Sequence, residues 1–264
     1  MAKVLSFGGG MQTVTLAAMC CNGDFEMPDF AVFADTGWET QSTYDYLKDF
    51  IPKCASRGLK IITVKKGNIR EDALSPLKRF VSMPLWTKNG IQKGALRRQC
   101  TNEYKIREVQ KTIRREFGIE KGKRWKGDPA EVWIGISTNE AQRMSDSREK
   151  WIINRWPLIE KRMNRHDCEK YLEANNQPIP PKSACIGCPF HDNTYWRRLK
   201  AESPKDWGDA VEFDVLIRGT VKHRNKKMTG DVFLHPSLKP LGEADLGESQ
   251  VDLWMNDCKG FCGV

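Results

Sequence analysis

At 264 residues, with 39% hydrophobic side chains that include 11 Phe, 9 Trp and 5 Tyr, the chain has material for a core; this excludes wholesale disorder and allows two domains or one α/β domain with appendages. No apolar run approaches the ~20 residues that cross a bilayer, and the opening Met1-Ala2-Lys3-Val4-Leu5-Ser6 lacks the apolar segment that directs secretion, so the expectation is a soluble cytoplasmic protein with no membrane partner. The formal charge of +9 equals that of one segment, Lys88 to Lys126, where 13 Lys or Arg face 4 Glu; it reads either as a solvated helix face or as an electropositive surface for a polyanion or nucleotide phosphates.

Taken in chain order, Lys3-Val4-Leu5-Ser6-Phe7 reads as a short buried strand, broken by Gly8-Gly9-Gly10 before a helical run over Thr13–Cys21. Phe30-Ala31-Val32-Phe33-Ala34 predicts a second strand, Thr40–Phe50 a helix, and Lys60-Ile61-Ile62-Thr63-Val64 a third strand. A long basic excursion, 65–131, follows, with a helix near Asn102–Phe117. Between Lys88 and Lys126 the aromatics are few (Tyr104, Phe117, Trp125), which does not indicate stacking on single-stranded bases. Val132-Trp133-Ile134-Gly135-Ile136 makes a fourth strand, and beyond it the pattern turns irregular, with a helix near Asp167–Ala174 and the stretch Pro178-Ile179-Pro180-Pro181.

Strands alternating with helices predict an open, mostly parallel α/β sheet with flanking helices, whose ligand lies beyond the carboxyl ends of the strands. The expected organisation is a nucleotide-binding core over 1–145 that includes the insertion 65–131, a Cys-x-x-Cys-containing helical and irregular part over 146–234, and a flexible tail over 235–264.

A glycine turn between strand and helix gathers backbone N–H groups at a helix N-terminus, an arrangement suited to phosphate. The loop is not a Walker A loop, because no Gly-Lys-Ser/Thr follows, and it meets the dinucleotide fingerprint only in part, through Gly8, Gly10 and the later Asp35, with Thr13 at the third glycine position. Nine cysteines without a secretion signal point to metal or redox chemistry. Cys20, Cys21 and Cys54 fall in helical stretches and read as packing residues. Cys185-Ile186-Gly187-Cys188-Pro189 differs, because its two-residue spacer lets both sulfurs point at one metal or cluster; it reads as a ligand or redox pair, the alternative being a turn with two buried thiols. Zinc closed by His191 is one reading of that turn.

Five segments in order carry a resemblance. Ser6-Phe7-Gly8-Gly9-Gly10-Met11-Gln12-Thr13 resembles the phosphate loop of the PP-loop, or adenine-nucleotide α-hydrolase, superfamily. Asp35-Thr36-Gly37-Trp38-Glu39 resembles the Asp-Thr-Gly-x-Glu element of the phosphoadenosine-phosphosulfate (PAPS) reductase branch. Arg97-Arg98-Gln99-Cys100 through Lys105 is similar to that branch's cysteine-plus-lysine segment, and Gly135-Ile136-Ser137-Thr138-Asn139-Glu140-Ala141-Gln142-Arg143 to its Gly-Ile-Arg-x-Asp-Glu-Ser-x-Arg stretch; Trp156-Pro157-Leu158-Ile159 and Cys185–Cys188 then follow in order.

The resemblance implies an adenine nucleotide such as ATP, with Mg²⁺ as a further expectation, held by Ser6, Gly8, Gly9, Gly10, Gln12, Thr13, Asp35, Thr36, Gly37, Glu39 and Arg143. Arg97, Arg98 and Lys105 are expected on phosphate. Gly8 and Gln12 depart from the Ser and Asp of ATP-cleaving relatives, which leaves Asp35 or Glu39 to supply charge for a metal, Asp35 also reading as a helix N-cap. The resemblance further implies a four-iron, four-sulfur (4Fe-4S) iron–sulfur cluster on Cys100, Cys185 and Cys188, with one iron left open or closed by Cys168, Cys258 or Cys262. Cys262-Gly263-Val264 looks like the reductases' Cys-Gly-Leu tail, where the cysteine attacks sulfur; Cys258, with three residues between, is a candidate redox partner for it.

Three functions are therefore expected in turn: ATP-dependent sulfur transfer (thiolation) to a nucleic acid, reduction of a sulfonucleotide with Cys262 as nucleophile, or nucleotide binding without turnover. The first two need a sulfide or electron donor, such as a persulfide protein or thioredoxin; a homodimer is left open.

Overall fold

The computed structural model describes residues 1–77, 83–89, 92–224 and 230–247. In chain order, β1 (Lys3–Phe7) leads through α1 (Met11–Asn22) to β2 (Phe30–Asp35), and α2 (Gln41–Ser56) to β3 (Ile61–Lys65). The excursion holds α3 (Ile69–Leu74), an antiparallel pair β4 (Trp86–Asn89) and β5 (Gln92–Ala95), a π-helical turn Asn102–Ile106 and α4 (Arg107–Glu116). There follow β6 (Ala130–Ile134), a 3₁₀ segment Thr138–Arg143, β7 (Ile152–Arg155), α5 (Pro157–Glu160), α6 (Arg165–Ala174), α7 (Asn193–Glu202), α8 (Pro204–Arg224) and β8 (Val232–Phe233).

The main sheet has the order β3-β2-β1-β6-β7, with every pair parallel. Strand alternation sends Leu5, Phe7, Ala31, Phe33 and Trp133 to a layer shared with α1, α2 and α6, and Val4, Val32, Ala34, Val132 and Ile134 to the opposite layer under α4. The strand order reverses between β1 and β6, the place where an open α/β sheet leaves a crevice at its carboxyl edge. The expected parallel α/β fold is the one observed, and the helix expected near Asn102–Phe117 is the π-helical turn running into α4.

A second core lies beside that edge. Trp38, Ile69, Leu85, Tyr104, Ile186, Trp196, Phe213, Val232 and Leu241 pack together, so α3, α7, α8 and the small sheet β5-β4-β8 form one body across the excursion and the C-terminal part. The boundary expected at 145 falls inside the main sheet, because β7 is its fifth strand and α6 packs on α1. Where the sequence predicts a flexible tail from His235, residues 235–247 are instead anchored. Asp214, fully buried, accepts the Leu234 and Leu241 N–H groups at 2.7 and 2.9 Å, and Leu241 is 1% exposed. Leu241→Ala is expected to lower unfolding stability by about 2–4 kcal/mol, read as a shifted urea midpoint; a loss under about 0.5 kcal/mol would contradict this docking. Among the described residues no helix is long and apolar enough to cross a membrane.

Candidate functional site

The glycine loop lies at the end of β1, facing the crevice. Gly10 caps α1 without a side-chain hydrogen bond, and Thr13 Oγ1 ties the loop by accepting from the Gly8 N–H and donating to the Gly10 carbonyl, each at 3.2 Å. The early N–H groups of α1, which a helix cannot satisfy internally, lie at this end. Ser6, Gly8, Gly10, Gln12, Thr13, Lys105 and Arg143 of the expected set line the crevice. Ser183, Lys182, Arg165 and Glu140 line it too, so four cationic side chains and one carboxylate surround the space. That balance favours an anion. Glu140 accepts from the Gln12 amide at 3.1 Å and pairs with Arg143, which places a carboxylate beside position 12 although residue 12 itself is neutral.

Asp35 and Gly37 turn away from this space. Asp35 Oδ1 accepts from the Gly37 N–H at 2.7 Å and from the Tyr44 hydroxyl at 2.9 Å, while Thr40, not Asp35, caps α2. Thr36 and Glu39 face the cysteines. The strand-like pairing of Glu39 with Cys185 and the Ile186 N–H to Trp38 carbonyl bond (2.8 Å) lay the cysteine turn against this segment. Thr36 Oγ1 stands 3.1 Å from Cys185 Sγ, Glu39 Oε1 3.9 Å from it, and Lys105 Nζ 3.7 Å from the same carboxylate oxygen. Burial, then the Glu39 charge, push the Cys185 thiol well above its ordinary range, with Lys105 opposing. Cys100 packs in the same apolar cluster, and Cys188 closes the turn by donating its N–H to the Cys185 carbonyl at 3.1 Å. Arg98 lies over the Phe190 ring at 5.6 Å, beside the cysteine turn; neither it nor Arg97 lines the crevice. Gly9 is turned inward: a Cβ built there would touch Leu47 and Phe33 at 3.5 Å. Cys168 is buried under the main sheet, away from this site, and Cys258 and Cys262 lie outside the described residues.

Two buried polar atoms around the turn bear on the cluster that the resemblance implies. The Tyr195 hydroxyl has no partner, burial holds its proton tighter, and its ring stacks on His191 at 3.5 Å beside the cysteine turn. His191 Nε2 lies 2.9 Å from the Cys185 carbonyl, which can only accept, so the ring proton is on Nε2 and Nδ1 is a buried acceptor without a partner. Burial pushes the His191 pKa down to about 3 and keeps the ring neutral. Among the described residues no three His, Cys, Asp or Glu side chains gather as a single ion would require. A cubane takes one thiolate at each of separate corners. Cys185 and Cys188 on the turn, and Cys100 packed in the same apolar cluster as Cys185, are the thiols that would hold such a group.

Ser183 and Glu140 escaped the sequence reading as individual residues. The stiff run Pro178–Pro181 leading to Ser183, and the acid in the segment 135–143, were the signals available.

No family model matches the chain, and no curated protein matches it. Among solved structures it is similar to the phosphoadenylyl-sulfate (PAPS) reductase from Candida auris in a phosphate complex, at 15% identity and a TM-score of 0.42, over 68% of this chain and 75% of that one.

Proposed function

We propose that this chain is an adenine-nucleotide-dependent enzyme that transfers sulfur to a nucleic acid. The observation that carries the reading is a shared wall: the Ser183 hydroxyl donates to the Gly8 carbonyl at 2.6 Å and stands 3.5 Å from Glu39, whose carboxylate borders Cys185. A phosphate cradle and a sulfur site are thus separated by two side chains. The α1 N-terminus with Lys105, Arg143 and Arg165 would hold nucleotide phosphates. Glu140 is the carboxylate lining the crevice, and it would give an accompanying Mg²⁺ an oxygen ligand. Cys100, Cys185 and Cys188 would hold the iron–sulfur cluster, which supplies an iron with an open position for sulfide. Lys105 bridges the two halves: it lines the crevice and also compensates the Glu39 charge beside Cys185.

In this reaction an acceptor oxygen attacks the α-phosphorus of ATP and releases pyrophosphate; sulfide then displaces AMP. Anaerobically prepared protein is expected to be brown with about four irons per chain, and Cys185→Ser to be colourless. AMP and pyrophosphate should form from ATP only when nucleic acid is present, with sulfur appearing in the polymer. Sulfite released from a sulfonucleotide and abolished by Cys262→Ser would instead establish the reductase reading, and nucleotide binding with no product under these conditions would leave a binding protein.

A further inference from the structure

The basic excursion does not deliver all its charge to the crevice. Lys105 lines the crevice, but α4 then runs back along the sheet, and Phe117, just beyond its end, lies against Phe30, the first residue of β2, with ring centroids 5.7 Å apart. The chain next enters β6 at its first residue, Ala130. The loop 117–129 therefore sits at the amino edge of the sheet, roughly 16 Å from the crevice, the length of a five-residue strand.

This loop has a built stem. Trp125 stacks on Trp151 at 5.0 Å and meets Phe117 edge-on at 5.9 Å; the Arg114 guanidinium lies 5.6 Å over Trp151 and donates to the Glu120 and Lys123 carbonyls. Above the stem, Lys121, Lys123, Arg124 and Lys126 are exposed. Residues 111–126 hold seven Lys or Arg against Glu116 and Glu120, and Glu116 is already engaged by Lys60 and Arg115. A protein partner would ask for an apolar centre. Phe117 is half-exposed at the stem and Glu120 is exposed, but the other charged side chains of 117–126 are the four exposed cations, which suit binding by displacement of counterions from a phosphate backbone.

We propose that the loop 117–126 is a docking surface for the backbone of a nucleic acid, at the end of the sheet opposite the crevice. This rests on the reading of the acceptor as a nucleic acid, and it adds a length requirement: one molecule that occupies both ends must span about five nucleotides at ~3.4 Å each. Mononucleosides and dinucleotides reach one end only.

The test is fluorescence anisotropy with a fluorescein-labelled RNA of about 20 nucleotides and a DNA duplex of the same length, on the full chain across a salt series. Replacing Lys121, Lys123, Arg124 and Lys126 by Ser is expected to weaken binding at least about tenfold near 0.1 M salt and to lower the slope of log K against log salt by about 3. Replacing the exposed Lys48, Lys53, Lys170 and Lys205 by Ser removes the same charge from other surfaces and should change binding by less than about twofold. Equal losses in both variants would overturn the proposal, as would displacement of the RNA by poly-glutamate at equal charge. AMP formation is followed in parallel. Loop-dependent binding without nucleic-acid-stimulated AMP would retain the docking surface and reject the sulfur-transfer reading. Stimulation with an unchanged KM for the polymer in the loop variant would do the reverse.

Discussion

Alanine at Gly187 is expected to lower unfolding stability by about 1–3 kcal/mol and, on the proposed cluster site, to remove most of the iron taken up in anaerobic reconstitution. A Cβ built there would lie 2.0 Å from Trp38 Cη2 and 2.3 Å from Cζ3, well inside contact distance. Trp38 has nowhere to move. It is 4% exposed, its ring packs on Phe213 at a centroid distance of 4.6 Å, and its Nε1–H is spent on Asp209 at 2.5 Å. The turn must therefore lift, breaking the Ile186 N–H to Trp38 carbonyl bond, itself worth about 1 kcal/mol, and with it the pairing that sets Cys185 against Glu39. Thermal unfolding and iron content after anaerobic reconstitution measure the two effects. Trp38→Leu in the same chain opens the space, so the double variant should recover iron that the single variant lacks. A Gly187→Ala protein with native iron content and midpoint would show that the turn does not depend on this contact.

The same contact explains why parts of this molecule were legible in the sequence and others were not. Strands such as Phe30–Asp35 are buried on both faces and read as apolar runs, so the parallel sheet could be drawn from composition along the chain. β7 has only Ile152 and Ile153 before Asn154, and β4 is Trp-Thr-Lys-Asn, so neither rises above a polar background. The Cys-x-x-Cys turn was visible because its spacing is local. That Gly187 serves a tryptophan 149 residues earlier was not, since close approach between distant segments leaves no periodic trace. Charge behaved likewise. Summed along the chain, Lys88 to Lys126 is one basic block, yet α4 carries its two ends to opposite edges of the sheet, because an amphipathic helix crossing a parallel sheet must run antiparallel to the strands it connects. Asp35 shows the opposite case: its sequence context suggested a helix cap, but the Gly37 N–H and the Tyr44 hydroxyl claim its Oδ1 first.

On the proposed function, alanine at Gly135 should act on the other half of the site, weakening ATP binding at least tenfold, about 1.4 kcal/mol, while leaving iron uptake near normal. Gly135 follows β6 and lines the crevice, and a Cβ there would meet Thr13 Cγ2 at 2.6 Å and the Thr13 backbone nitrogen at 3.1 Å. The backbone contact is the harder one to relieve, because Thr13 lies in the first turn of α1 and its hydroxyl holds Gly8 and Gly10 in place. Pushing that turn outward loosens the cradle without reaching Cys185, which is held from the far side by Thr36 and Glu39. Thr13→Ser removes the clashing methyl and keeps the hydroxyl but leaves the backbone contact, so the Gly135→Ala/Thr13→Ser pair is expected to regain part of the lost affinity in calorimetry. The two glycine variants together test whether cradle and sulfur site are separable. If Gly135→Ala lost iron as readily as nucleotide, or Gly187→Ala lost nucleotide as readily as iron, the wall formed by Ser183 and Glu39 would have to be rigid enough to transmit displacement in both directions, and binding at one side would then be coupled to the other.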